Sequence, residues 1–361
     1  MVLTILITFI SLISLLVLHE FSHFILAKKF GVKVEEFGIG YPPRLIGKKI
    51  GETIYSINLL PFGAFVKILG EEERLDDPRS FNKKPIWQRV LIVLAGVVSF
   101  WLISAILLSV VFGMGLPQAI SDEENGNLVN PRVQIVAVAF ESPAEEVGIR
   151  TGDIIRKFEI RNLKFEISKV KELQELTEKY KGEEITLTIE RGKEIFDVKL
   201  VPRVSPPEGE GPMGIGLART IIVSYPWYSA GLKGIEATGI MTGRTVVGLA
   251  QVLGNLIQGK GLPPGTELAG PVRIGQMMVQ AAEAGINYYL PFISMISIYL
   301  ALFNVLPIPA LDGGKLLFLA IEKFKGKPVN PKIEQRITAF FFFMLVLLAI
   351  WVTIKDITRL F

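Results

Sequence analysis

Leu15-Leu16-Val17-Leu18-His19-Glu20-Phe21-Ser22-His23-Phe24-Ile25-Leu26-Ala27 is an apolar run interrupted by one acid and two imidazoles, and the reading of those three decides the fold. His19 and His23 are the only histidines in the chain. At i and i+4 of a helix they share a face, so both rings can reach one metal ion. Glu20, one position round, can address a water beside that ion. The run continues back to Val2 without a charge, which is long enough to cross a bilayer. Ionisable groups at that depth are costly unless partnered, so function is the default reading of the three.

Composition agrees. Half of the 361 residues are hydrophobic, which points to several membrane spans with room for one small water-soluble domain. The net charge of +4 is spread along loops rather than gathered into a basic patch, so no nucleic-acid partner is expected. Without cysteine the chain has no disulfide, no thiolate nucleophile and no sulfur ligand. A cleaved signal peptide fits residues 1–18 poorly, because no Lys or Arg precedes the run and His-Glu follows it.

Four segments read as transmembrane helices: 1–27, 86–113, 285–322 with a Pro-rich break, and 336–358. Lys28, Lys29, Lys33, Lys83, Lys84 and Arg89 flank the first loop, and Lys323, Lys325, Lys327, Lys332 and Arg336 the third. Ser121-Asp122-Glu123-Glu124 after the second span is acidic. The positive-inside rule then puts loops one and three in the cytoplasm and the middle region and both termini outside. In loop 28–85, Thr53 to Leu59 alternates, Pro61-Phe62-Gly63-Ala64 turns and Phe65 to Leu69 follows, an apolar hairpin expected to dip into the membrane. Residues 130–204 read as a compact α+β domain, with strands at 133–138, 185–190 and 196–200 and a helix from Ser168 to Tyr180 capped by its own Ser. Residues 205–284 read as a linker in which Gly234 to Ile257 forms an amphipathic helix on the membrane surface, after an interfacial Tyr225, Trp227 and Tyr228. The fold class is thus a multi-pass α-helical membrane protein with four transmembrane helices, a membrane-associated β-hairpin and one inserted α+β domain.

A catalytic zinc site usually has three protein ligands, and with no further His or Cys the third must be Asp or Glu. The best candidate is Asp312 in Asn304-Val305-Leu306-Pro307-Ile308-Pro309-Ala310-Leu311-Asp312-Gly313-Gly314, a stretch its prolines must break from helix. The alternative is an Asp capping a helix that starts near Lys315. Two crossings return the chain to the outside, so the third span runs parallel to the first and brings Asp312 to the depth of His19.

With these residues in view, the chain resembles the site-2 protease family of intramembrane zinc metalloproteases, of the bacterial type with an inserted PDZ domain. The resemblance covers nearly the whole length. It rests on His19-Glu20-x-x-His23, on Asn304-x-x-Pro307-x-Pro309-x-Leu311-Asp312-Gly313, on Pro61 to Lys67, on Ser142-Pro143-Ala144 with Gly148-Ile149-x-x-Gly152-Asp153, and more weakly on Gly270-Pro271-Val272. It implies that His19, His23 and Asp312 bind Zn2+ and that Glu20 is the general base. It also implies that Asn304 and the loop residues Asn58, Leu59, Gly63 and Phe65 hold substrate, the loop as an added strand. The partners so implied are single-span membrane proteins of the anti-sigma-factor or signal-peptide type, within a bacterial inner membrane. One departure stands out: Ser99-Phe100 occupies the place in the second span where the family often has an Asn.

The PDZ-like domain is open to two readings, capture of a peptide C-terminus near Glu141 to Ala144, or a gate that excludes substrates with uncut ectodomains. Two rival functions use the same residues: a membrane-anchored zinc peptidase acting on soluble peptides, and a non-catalytic PDZ scaffold. Iron or cobalt could fill the same ligand set in vitro.

Overall fold

The computed structural model describes residues 2–358 apart from 72, 74, 125–129, 140, 208 and 262–268. The chain divides into two compact units: Met1–Leu108, Gly234–Gly275 and Ile293–Phe361 form one, and Ser109–Lys233 with Gln276–Phe292 the other.

The first unit begins with helix α1 (Val2–Lys29), in which Glu20 is the one acid and Lys28 and Lys29 close the last turn, where the helix dipole favours cations. Strands β1 (Val34–Ile50) and β2 (Thr53–Ile68) follow, and then α2 (Ile86–Met114). The β-structure is not the simple hairpin expected. Residues 36–39 of β1 pair on one side with 54–57 and on the other with 64–67, as in Glu36↔Ile54 and Glu36↔Lys67. The segment 34–39 therefore lies between the two stretches that alternation had paired with each other. Gly38, Gly40, Pro42 and Pro43 give β1 the sequence pattern of a loop. At the far end of this sheet Ile46 and Phe62 are more than two-thirds exposed, and Leu45, Ile57 and Leu59 more than half. At the near end Val34 and Ile68 pack with Ala27, Ile92 and Leu319 in one buried cluster.

Helices α5 (Trp227–Ile257), α6 (Pro271–Ala284), α7 (Ile286–Val305), α8 (Asp312–Lys325) and α9 (Pro331–Thr358) complete the helical complement. Five of the described helices, α1, α2, α5, α7 and α9, are long and apolar enough to cross a membrane. Four spans are legible in the sequence; α5 is a fifth such helix, whose signal is interrupted by Glu236, Arg244 and its glycines. The expected third span divides at Val305: α7 ends there, the prolines unwind residues 306–311, and α8 restarts at Asp312 itself rather than near Lys315.

The second unit carries β3 (Leu116–Ile120), β4 (Arg132–Val138), α3 (Pro143–Glu146), β5 (Ile154–Ile160), β6 (Leu163–Glu166), α4 (Val170–Lys179), β7 (Ile185–Arg191), β8 (Glu194–Leu200) and β9 (Ile215–Val223). The sheet order is β3-β9-β4-β5-β7-β8, with β6 on β5. Strand β9 lies beyond the expected domain end at 204, inside what read as linker, yet it is an inner strand between β3 and β4. The core gathers Ile135, Ile155, Phe158, Leu173, Leu187 and Ile189, the inward positions of alternating strands and of α4. Asp153 is buried and accepts two hydrogen bonds from the Arg191 guanidinium at 2.7 Å each and one from the Arg150 amide at 2.8 Å. This bidentate pair raises the Arg191 pKa, with the hydrogen bond to Asp153 as the largest cause. Ser168 does not cap α4. Asp122, just past β3, accepts from the Val170 and Lys171 amides, and Glu172 accepts from the Lys169 amide.

Candidate metal centre and active site

In α1 the i, i+4 spacing stacks His19 and His23 on the face that packs against α2. Gly96 of α2 makes this approach possible: a Cβ there would lie 2.2 Å from His23 Nε2 and 2.6 Å from His19 Cε1. The Phe100 ring, one turn on, stacks on His19 with centroids 4.6 Å apart and planes 15° from parallel. His23 Nδ1 donates to the Ile92 carbonyl at 2.8 Å. With the proton assigned to Nδ1 by that bond, Nε2 presents a lone pair to the cavity.

Asp312 reaches the same point from α8. Gly313 and Gly314 behind it let the helix start against the unwound stretch, since a Cβ at Gly313 would lie 2.1 Å from the Leu306 carbonyl oxygen and one at Gly314 2.4 Å from that of Ile308. Arg89 Nη1 and Nη2 in α2 meet the Glu322 carboxylate of α8 at 3.0 and 2.6 Å, and Ser297 of α7 donates to the Phe100 carbonyl at 2.7 Å.

The three donor atoms form a nearly equilateral triangle. His19 Nε2 and His23 Nε2 are 3.3 Å apart, and Asp312 Oδ2 is 3.4 Å from each. Ligand distances of about 2.0–2.2 Å in a tetrahedral zinc site put ligand atoms about 3.3–3.6 Å apart. All three residues are buried, and Asp312 Oδ2 has no hydrogen-bond partner among the described residues. Lone pairs facing one another across such a triangle suit a shared cation, and two imidazoles with one carboxylate are a zinc donor set. No other group of three His, Asp or Glu residues among those described brings its donor atoms within such mutual reach.

A cavity of about 300 Å³ opens beside the triangle, with Glu20, Tyr41, Gly63, Asn304 and Lys315 on its wall. Glu20 Oε2 accepts a hydrogen bond from the Val66 amide at 3.1 Å, so the outer edge of the 64–68 segment faces the acid. Gly63, at φ +113°, lies where that segment begins. Of the residues the sequence assigned to substrate, Gly63 and Asn304 line the cavity. Asn58, Leu59 and Phe65 do not: the Asn58 amide donates into the sheet, to the Gly40 carbonyl at 3.1 Å, Leu59 is exposed, and the Phe65 ring stacks on Tyr41. Ser99 is also unavailable, its hydroxyl donating to the Gly96 carbonyl of its own helix at 2.6 Å. The sequence reading missed Gly96 as clearance, Phe100 as a packing partner of His19, the Val66 amide and Lys315. Only Lys315, one helical turn beyond Asp312, had a sequence signal in its spacing.

The model of peptidase family M50 matches residues 7–348. A provisionally named zinc metalloprotease of Clostridium perfringens is 35% identical over 345 residues, covering 95% of each chain. Another of Rickettsia conorii is 32% identical over 376 residues, covering 98% of each. The zinc metalloprotease RasP of Shouchella clausii is 28% identical, covering 99% of each.

Proposed function

We propose, from the premise that this chain belongs to peptidase family M50, that it is a zinc metalloendopeptidase hydrolysing peptide bonds of transmembrane substrates within the bilayer. The observation that carries the reading is the triangle of His19, His23 and Asp312 at tetrahedral spacing, beside a cavity that also holds Glu20. Zinc bound there supplies a Lewis acid for the scissile carbonyl and for the attacking water. Glu20 takes a proton from that water and hands it to the leaving amine nitrogen. The Val66 amide holds Oε2 while this happens, which fixes the carboxylate's direction.

An amide inside a substrate helix is closed to water, so the substrate must be extended first. The outer edge of the 64–68 segment supports an added strand in reach of Glu20, with Gly63 leaving room for its backbone and Asn304 opposite. The apolar, exposed far end of the β1–β2 sheet favours its entry into lipid.

The topology with four crossings remains the preferred reading. Asp312 meets the histidines near the ends of α7 and α1, so those helices run parallel and an odd number of crossings separates them. If α5 crossed as well, α6 would have to return the chain, and its 14 residues span about 21 Å against a core of about 30 Å. Thus α5 lies in or on the membrane without a full crossing. Loop charges favour residues 28–85 in the cytoplasm and residues 116–223 outside a bacterial inner membrane.

For the PDZ-like unit the gate is favoured over peptide capture. The amides of Glu141, Ala144 and Glu145 are already bonded, to the Glu145 carboxylate, the Met213 carbonyl and the Ser142 hydroxyl. Much of β9 is covered on its outer edge by β3 of the same chain. Regulated cleavage of anti-sigma-factor or signal-peptide type substrates suits such a gate.

Turnover of a detergent-solubilised transmembrane peptide, compared with a soluble peptide, tests the reading. Wild type should cut the former, and Glu20→Gln should lose about 1,000-fold in kcat with zinc retained. Cleavage confined to soluble peptides would favour the membrane-anchored rival; zinc without any turnover would favour the scaffold.

A further inference from the structure

Lys315 is the one cationic side chain on the wall of the catalytic cavity among the described residues. It stands three residues beyond Asp312 on α8, so the two share a helix face. Its Nζ donates to Glu71 Oε1 at 2.6 Å, and its side chain is 47% exposed, open enough to meet a ligand. An ammonium has three donors and Glu71 takes one. Of the neutral donors nearby, the Asn304 amide gives one of its two N–H groups to the Leu300 carbonyl at 2.8 Å, and the Ser99 hydroxyl donates to Gly96. Tyr41 contributes the one hydroxyl on the wall among the described residues.

The reaction calls for a cationic partner to an anion at this place. As water oxygen bonds to the scissile carbon and the C–N bond breaks, one proton passes through Glu20 to the amine. The acyl fragment leaves as a carboxylate, its second proton released. Negative charge thus gathers on the acyl oxygens and stays there in the N-terminal product.

We propose that Lys315, held by Glu71, binds the acyl-side oxygens: the scissile carbonyl oxygen as it gains charge, and afterwards the new carboxylate of the N-terminal product. This rests on the peptidase reading above and adds the group that receives the charge. It separates Lys315 from a simple tie between α8 and the segment after β2, because a tie would make Glu71 equally important.

The test compares wild type, Lys315→Gln, Lys315→Arg, Glu71→Gln and Tyr41→Phe. The probe is an N-terminal half-peptide of a cleaved transmembrane segment, as free carboxylate and as carboxamide, with affinities measured in zinc-loaded and chelator-treated protein. Wild type should prefer the carboxylate by about 10-fold even after chelation, a charge-assisted contact. Lys315→Gln should abolish that preference, Lys315→Arg keep most of it, and Glu71→Gln and Tyr41→Phe keep it. In turnover Lys315→Gln should lose about 100-fold in kcat at unchanged zinc content, and Glu71→Gln less than about 5-fold. A preference that survives Lys315→Gln, or that Glu71→Gln removes as fully, overturns the proposal. If wild type shows the Lys315-dependent preference but cuts nothing, the peptidase reading fails and the anion site stands. If turnover is intact and the preference ignores Lys315, the anion site alone falls.

Discussion

A methyl group at Gly96 would enter the space of both imidazoles, lying 2.2 Å from His23 Nε2. Gly96→Ala should therefore displace the rings rather than unfold α2, because Ala is the better helix former. We expect a loss of about 10–100-fold in zinc affinity with unchanged helical circular dichroism, measured by competition with a metal-binding dye. Unchanged affinity would show that the helices yield instead. The contrast between the histidines and this glycine explains what the sequence could show. His19 and His23 announce themselves because four residues of helix place them together with no help from the rest of the chain. Gly96, Phe100 and the Ile92 carbonyl act on them from across a helix–helix contact about 70 residues away in sequence, and nothing local in α2 encodes that contact.

At the scale of elements, α8 is short, with Asp312 in its first turn, and its place depends on ties to its neighbours. Arg89 and Glu322 form one, nearly buried, with side chains 9% and 18% exposed. Arg89→Met leaves the carboxylate without its partner and should cost about 3 kcal/mol, read as a lower melting temperature in detergent, with the exchanged pair Arg89→Glu/Glu322→Arg recovering part of it. An unchanged melting temperature would remove the pair from the forces that hold α8. The strands divide in the same way as the site residues. Those of β7 and β8 were legible because side chains alternate over one buried face, and that of β4 from its β-branched residues. Strands β1 and β9 were not, since Gly38, Gly40, Pro42 and Pro43 in one and Gly216 and Ala218 in the other suppress the pattern, and their pairing comes from distant partners.

At the scale of the whole molecule, the inserted segment 116–223 begins and ends side by side: Leu116 pairs with Val223. Deleting residues 116–223 should therefore close with a short linker and leave the metal centre intact. If the unit is a gate, the deletion should cut a substrate with a bulky ectodomain about 10-fold faster and leave a trimmed substrate unchanged. Slower cleavage of the trimmed substrate would favour capture instead. Three side chains from two distant segments, His19, His23 and Asp312, are proposed to hold one zinc ion. Zinc per purified chain, determined by elemental analysis for wild type, Glu20→Gln and Asp312→Ala, tests that most directly. The prediction is about one zinc in the first two and well under half in Asp312→Ala, because two imidazoles alone leave the site incomplete. A full equivalent of zinc in Asp312→Ala would contradict it.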